Sequence, residues 1–217
     1  MMNKFGYTFL LCLMVSVSSN AQLKSYAYFV PKNYDTLAVV YGDLNKDGTK
    51  DCVLALRHNS ETKEIQEVDV DNMPPRILIV LIGSPTGFTL GATSYKALLC
   101  KYCGGIFGDP FAQIKIANNV LEVSHYGGSA WRWAYTHKFR YQNKDWFLIG
   151  KTSLSYWNVK HCDKLNDFAG TDNEDINYVT GDYQIKKISE NCKLLTNKKG
   201  KKKIQPLIPL NKFSIEQ

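Results

Sequence analysis

From Ala130 to Tyr141 the chain alternates without a break. The odd positions are Trp131, Trp133, Tyr135, His137, Phe139 and Tyr141, and the even ones are Ala130, Arg132, Ala134, Thr136, Lys138 and Arg140. Successive side chains of a strand point to opposite faces, so a strand places six rings on one face and small or basic groups on the other. A helix would scatter the same rings around its axis. A continuous strand of this length runs roughly 40 Å, and its ring face is expected to be core for most of the six rings. The even face is then the solvated one, with Arg132, Lys138 and Arg140 available to an acidic partner.

Other segments follow the same period or are short apolar runs bounded by turn residues. Strands are expected at Leu37 to Tyr41, Cys52 to Leu56, Arg76 to Ile82, Phe88 to Thr93, Ile114 to Ile116, Val120 to His125, Trp146 to Ser155 and Tyr183 to Ile188. Ala117-Asn118-Asn119 and Gln142-Asn143-Lys144-Asp145 supply hairpin turns. The acidic, polar stretch from Ser60 to Pro75 reads as an exposed insertion, and Asn158 to Tyr178 as polar and irregular. No segment has a persuasive amphipathic helix period. The expected fold is mainly β, a sandwich or partly closed barrel of antiparallel strands with little helix, in a single domain over residues 22–217.

One short segment carries a specific chemistry. Asp43, Asn45, Asp47, Gly48 and Asp51 are spaced D-x-N-x-D-G-x-x-D. Oxygen ligands at alternate positions suit a hard cation, and the glycine lets the backbone turn around it. The first half matches an EF-hand, but the twelfth position, which needs a bidentate glutamate, is Leu54, and the flanks are strand-like. The segment Gly42 to Asp51 resembles the strand-flanked calcium loops of FG-GAP and VCBS-type (integrin-like) repeats of exported bacterial proteins. That resemblance implies calcium held by the side chains of Asp43, Asn45, Asp47 and Asp51 and by the Thr49 carbonyl. It spans about ten residues and occurs once, whereas a propeller repeats it around a ring. Calcium is therefore expected as a structural ion at residues 43–51.

Lys4, the apolar stretch Phe5 to Val17, and small or polar residues up to Ala21 have the order of a secretory signal peptide at 1–21. Export to a periplasmic or extracellular compartment is the corresponding expectation. No later apolar run is long enough to span a membrane, the longest being Ile77 to Ile82. The formal charge is +7, and Lys198, Lys199, Lys201, Lys202 and Lys203 supply most of the excess. That cluster reads as a solvated hairpin tip, and nothing in the charge pattern points to nucleic acid. Cys52 reads as a buried hydrophobe, Cys162 and Cys192 could close a loop, and Cys100 and Cys103 form a C-x-x-C that is a local disulfide or two thiols.

The remaining unusual residues lie in Gly104 to Phe111 and His125 to Trp133. A hydrolytic reading makes Ser129 a nucleophile, His125 its base and Asp109 the orienting acid. Ser129 lies outside a G-x-S-x-G elbow, however, so no catalytic residue is assigned. A binding reading uses Tyr126, Trp131 and Trp133 as flat apolar faces and Arg132 as a planar donor fork. The function expected is an exported, calcium-binding interaction module for a glycan, peptide or protein. The alternatives are a hydrolase of an envelope or host polymer and an inhibitor of an extracellular enzyme.

Overall fold

The computed structural model describes residues 25–62 and 72–215. The expected signal peptide and the middle of the 60–75 insertion lie outside them. The first sheet contains β1 (Tyr34–Gly42), β2 (Asp51–His58), β3 (Ile77–Ser84) and β4 (Gly87–Ser94), ordered as in the sequence. The second contains β5 (Phe111–Ala117), β6 (Val120–Gly128), β7 (Trp131–Gln142), β8 (Asp145–Cys162), β9 (Asp167–Asn177), β10 (Asp182–Ile188) and β11 (Leu194–Lys201), also neighbour to neighbour. Every pairing between these strands is antiparallel, and the helical turns among the described residues are short 3₁₀ pieces. The architecture is thus two antiparallel sheets, consistent with a sandwich and not closed into a barrel.

Local sequence sets the hairpins. Asn118 and Asn119 have φ of 52° and 60°, and Asn143 and Lys144 have 51° and 65°. Two consecutive left-handed residues give the turn whose twist matches the flanking strands, and asparagine tolerates that conformation best after glycine.

The main core lies between the sheets. Val53, Ala55, Leu78 and Val80 of the small sheet meet Ile114, Leu121, Val123, Phe139, Trp146 and Leu148 of the large one. Cys52, Leu54, Leu56, Ile77, Ile79 and Leu81 point the other way and are equally buried, under Tyr26, Phe29 and Val30. Burial on both faces explains why β2 and β3 read as continuous apolar runs. In the large sheet, the strand members of the main core come mostly from β5 to β8, so the small sheet covers only part of it. The far part has its own small cluster, Cys162, Ala169 and Ile188, beside the Cys162–Cys192 disulfide. Closing a loop of 30 residues contributes about 3.6 kcal/mol by chain entropy. Cys100 and Cys103 are also bridged, and Cys52 is a buried free thiol.

Three expectations change. Residues 167–177, read as irregular, form β9. Its acidic side chains face lysines across the sheet: Lys186 to Asp167 at 2.6 Å, Lys187 to Asp172 at 2.7 Å and Lys202 to Glu174 at 3.1 Å. Lys198, Lys199 and Lys201 are no hairpin tip but lie in β11, the outermost strand, where lysines discourage pairing with another chain's edge. Glu61, read as exposed, is 1% accessible and is ion-paired to Arg76.

Of the six rings of β7, His137 and Phe139 are buried, Trp133, Tyr135 and Tyr141 are half-buried, and Trp131 is exposed. Two histidines thus sit inside, His125 at 1% and His137 at 4% exposure. Burial, reinforced for His125 by the Arg76 charge and for His137 by Lys151, lowers both from 6.5 to about 4. A base whose pKa is depressed by folding binds fewer protons folded than unfolded between the two values. Stability is therefore expected to fall as pH drops from about 6.5 toward 4, by on the order of 3 kcal/mol per histidine. Denaturant unfolding at stepped pH measures this, and a His137→Phe variant should lose about half the slope.

Candidate functional site

The acidic loop between β1 and β2 is folded onto its own backbone. Asp43 accepts from the Lys46 N–H at 2.6 Å and the Gly48 N–H at 3.1 Å. Asn45 Oδ1 accepts from the Asp47 N–H, and Asp47 accepts from the Thr49 N–H and the Asn45 amide. Asp51 is wholly buried and accepts from the Leu44 N–H at 2.7 Å and the Gly83 N–H at 2.9 Å, pinning the loop to β3. Burial pushes the Asp51 carboxyl above the usual range, and the Asp47 charge adds to the push despite the N–H donors. A cation beside Asp51 would relieve both effects. No group of three or more His, Cys, Asp or Glu side chains converges as a metal cluster among the described residues. The Asp43, Asp47 and Asp51 carboxylates, each bonded to backbone N–H groups, thus do not meet at one point; with the amide oxygen of Asn45 and the Thr49 carbonyl they are the oxygens of the loop that a metal would have to draw together. This all-oxygen donor set fits calcium by its chemistry.

The second candidate surface lies where β6 turns into β7. Pairing in register puts Trp131 and Trp133 on the face that continues to His137 and Phe139, and Tyr126, opposite Ala134, on the face of Arg132. The structure therefore brings Tyr126 and Arg132 together and separates them from the two tryptophans. Trp131 lies over Gly170, and Trp133 stacks on Tyr135 at 5.1 Å.

Around Arg132 the sequence reading missed two partners. The chain after the Cys100–Cys103 bridge makes a tight turn in which Gly108 N–H donates to Gly105 O at 3.0 Å. The two glycines have φ of 71° and 70°, a region costly for other residues. The turn is tied down by Ile106 N–H to Gly128 O at 3.2 Å and by Tyr126 N–H to Pro110 O at 2.9 Å. It presents Ile106, 80% exposed, and Phe107, 47% exposed. The Arg132 guanidinium lies 3.7 Å from the Phe107 ring centroid, and Phe107 is 5.9 Å from Tyr126. Tyr156, opposite Arg132 on β8, closes the group. Burial and the neighbouring Tyr126 raise the Tyr156 phenol, against the Arg132 charge. Arg132 has no carboxylate partner among the described residues, and its Nη1 is buried without a hydrogen bond. The apolar pair flanked by glycines was the available signal for Phe107; Tyr156 carried none.

Asp109, His125 and Ser129 do not form a relay. Asp109 receives both terminal nitrogens of Arg76 at 2.7 Å and the Phe111 N–H at 2.9 Å. Burial opposes its ionisation, but the Arg76 hydrogen bonds hold its carboxyl below the usual range. His125 Nε2 accepts from the Leu99 N–H at 3.3 Å, and its Nδ1 is buried without a partner. Ser129 is on the exposed turn, with its N–H bonded to Trp131 O. Arg76 and Glu61, which organise this region, carried no local sequence signal.

Comparison with family models, with curated proteins and with solved structures finds no match for the chain.

Proposed function

We propose that the protein is an exported, calcium-stabilised binding module whose ligand surface is formed by Phe107, Tyr126, Arg132 and Tyr156. The observation that carries this reading is Arg132, a guanidinium with no carboxylate partner among the described residues, stacked on an exposed ring at the end of a sheet. A planar fork of N–H donors recognises a carboxylate by paired hydrogen bonds. The surrounding rings offer apolar area at small entropic cost. The ligand is a glycan or peptide that brings an acidic group to Arg132 and an apolar face to Phe107 and Tyr126. The Cys100–Cys103 bridge and the Gly105–Gly108 turn keep the presenting loop in one shape, which lowers the cost of binding.

Calcium has a structural role, neutralising the Asp43, Asp47 and Asp51 carboxylates at the start of the small sheet. Export is supported by the two disulfides, which persist in oxidising compartments.

The calcium assignment is tested by thermal unfolding. Calcium at a hundredfold its dissociation constant is expected to add about 2.7 kcal/mol. A chelator should remove that increment, and Asp47→Ala, at an exposed position, should abolish the response with little change in basal stability. Binding is tested with an immobilised uronic-acid oligosaccharide and a glutamate-rich peptide, each beside its neutral counterpart. Wild type is expected to be retained by one acidic probe, and Arg132→Ala to lose at least tenfold in affinity. Equal retention of the two proteins on every probe would overturn the site.

A further inference from the structure

A second site lies along the same sheet, away from Arg132. Leu148, on its wall, precedes Tyr156 by eight residues on β8, roughly 25 Å of strand. Here the chain leaving β11 crosses the end of the large sheet as an extended strap. The strap is anchored at one end by Lys202 N–H to Gly181 O at 2.8 Å and at the other by Leu148 N–H to Ile208 O at 2.9 Å. Between these anchors, residues 203–207 are in no strand or helix. Pro206 cannot donate a backbone bond at all.

The strap does not close onto the sheet. A cavity of about 220 Å³ remains beneath it, with Leu148, Ile176 and Tyr178 on one side and Ile204, Pro206 and Leu207 on the other. An apolar void forfeits the dispersion contacts its walls would otherwise make. One of roughly 150 Å³ is already large enough to take up benzene. The strap's own apolar groups have not filled the space: Ile204 is 57% exposed and Ile208 40%.

The rim is basic. Lys202 and Lys203 both border the cavity. Lys202 is matched by Glu174 at 3.1 Å, whereas Lys203 is exposed and has no ion pair among the described residues. An apolar interior with one uncompensated ammonium at its mouth suits an amphipathic anion, with its chain inside and its head outside.

We propose that this cavity binds the end of an unbranched acyl chain bearing a carboxylate, with the strap over residues 203–207 lifting between its two anchors to admit it. The chain is held by Leu148, Ile176 and Leu207 and the head by Lys203. This site is independent of the Arg132 surface, and neither reading depends on the other.

The test titrates the full-length protein with octanoate and, separately, with octanol, following the methyl resonances of Leu148, Ile176 and Leu207. Saturable shifts at these methyls are expected, with octanoate binding about three- to fivefold more tightly than octanol. Lys203→Gln should bring octanoate down to the affinity of octanol. Leu207→Trp, which fills the cavity from the strap side, should abolish both. Should Leu207→Trp fail to fold, Ile204→Trp fills the same space from an exposed position. Absence of saturable shifts with either probe, or binding indifferent to both filling variants, would overturn the site. Equal affinity for octanoate and octanol in the wild type would overturn the anionic ligand.

Discussion

Arg76 is wholly buried immediately before β3, and a buried guanidinium is tolerated only if its charge and its N–H groups are met. Glu61, just after β2, takes Nε and one terminal nitrogen, and Asp109, just before β5, takes both terminal nitrogens. One side chain thereby joins both ends of the β2–β3 connection to the crossover between the two sheets. Lys101 adds to the knot by donating to Glu61 O at 2.7 Å. The knot fixes Asp109, which directly follows the turn that presents Ile106 and Phe107 and also accepts from the Phe111 N–H. The ligand surface proposed around Arg132 is therefore held in place from inside the protein, through Arg76, as well as by the Gly128 and Pro110 bonds along its edge.

The unequal sheets account for much of the remainder. A four-stranded sheet cannot cover a seven-stranded one, so β9 to β11 lack the apolar layer that β5 to β8 have. Ion pairs link these strands instead, and a disulfide with a small cluster stands in for the missing core. The strap after β11 is the other response to that mismatch. It shields Leu148 and Ile176 without filling the space above them, and this is the origin of the cavity proposed to take an acyl chain.

What could be read from sequence follows the same division. β7 was legible because one face is apolar and the other polar, and β2 and β3 because their runs are short, apolar and bounded by turn residues. β9 was not, since Asp172, Glu174 and Asp175 lie on a strand without an apolar face, and its stabilising partners are lysines on other segments. The acidic loop was legible as a loop between two strands, and the calcium proposed for it rests on residue types at fixed spacing. The Arg132 surface was half visible: the strand period separates Arg132 from Trp131 and Trp133, but Phe107 reaches it from a distant loop. Glu61 and Arg76 are fifteen residues apart across an acidic stretch, and nothing local marks either as buried.

Arg76 reaches the Phe107 turn only through Asp109, the residue that follows it, so the turn's order is expected to depend on that ion pair. Amide hydrogen exchange in an Asp109→Asn variant tests it most directly, because Glu61 still meets Arg76 and the sheets remain paired. Protection of the Ile106 and Tyr126 amides, bonded to Gly128 O and Pro110 O, is expected to fall by about tenfold or more. The amides of Val53 and Val80 in the core strands should keep theirs. Unchanged protection at Ile106 and Tyr126 would contradict the account.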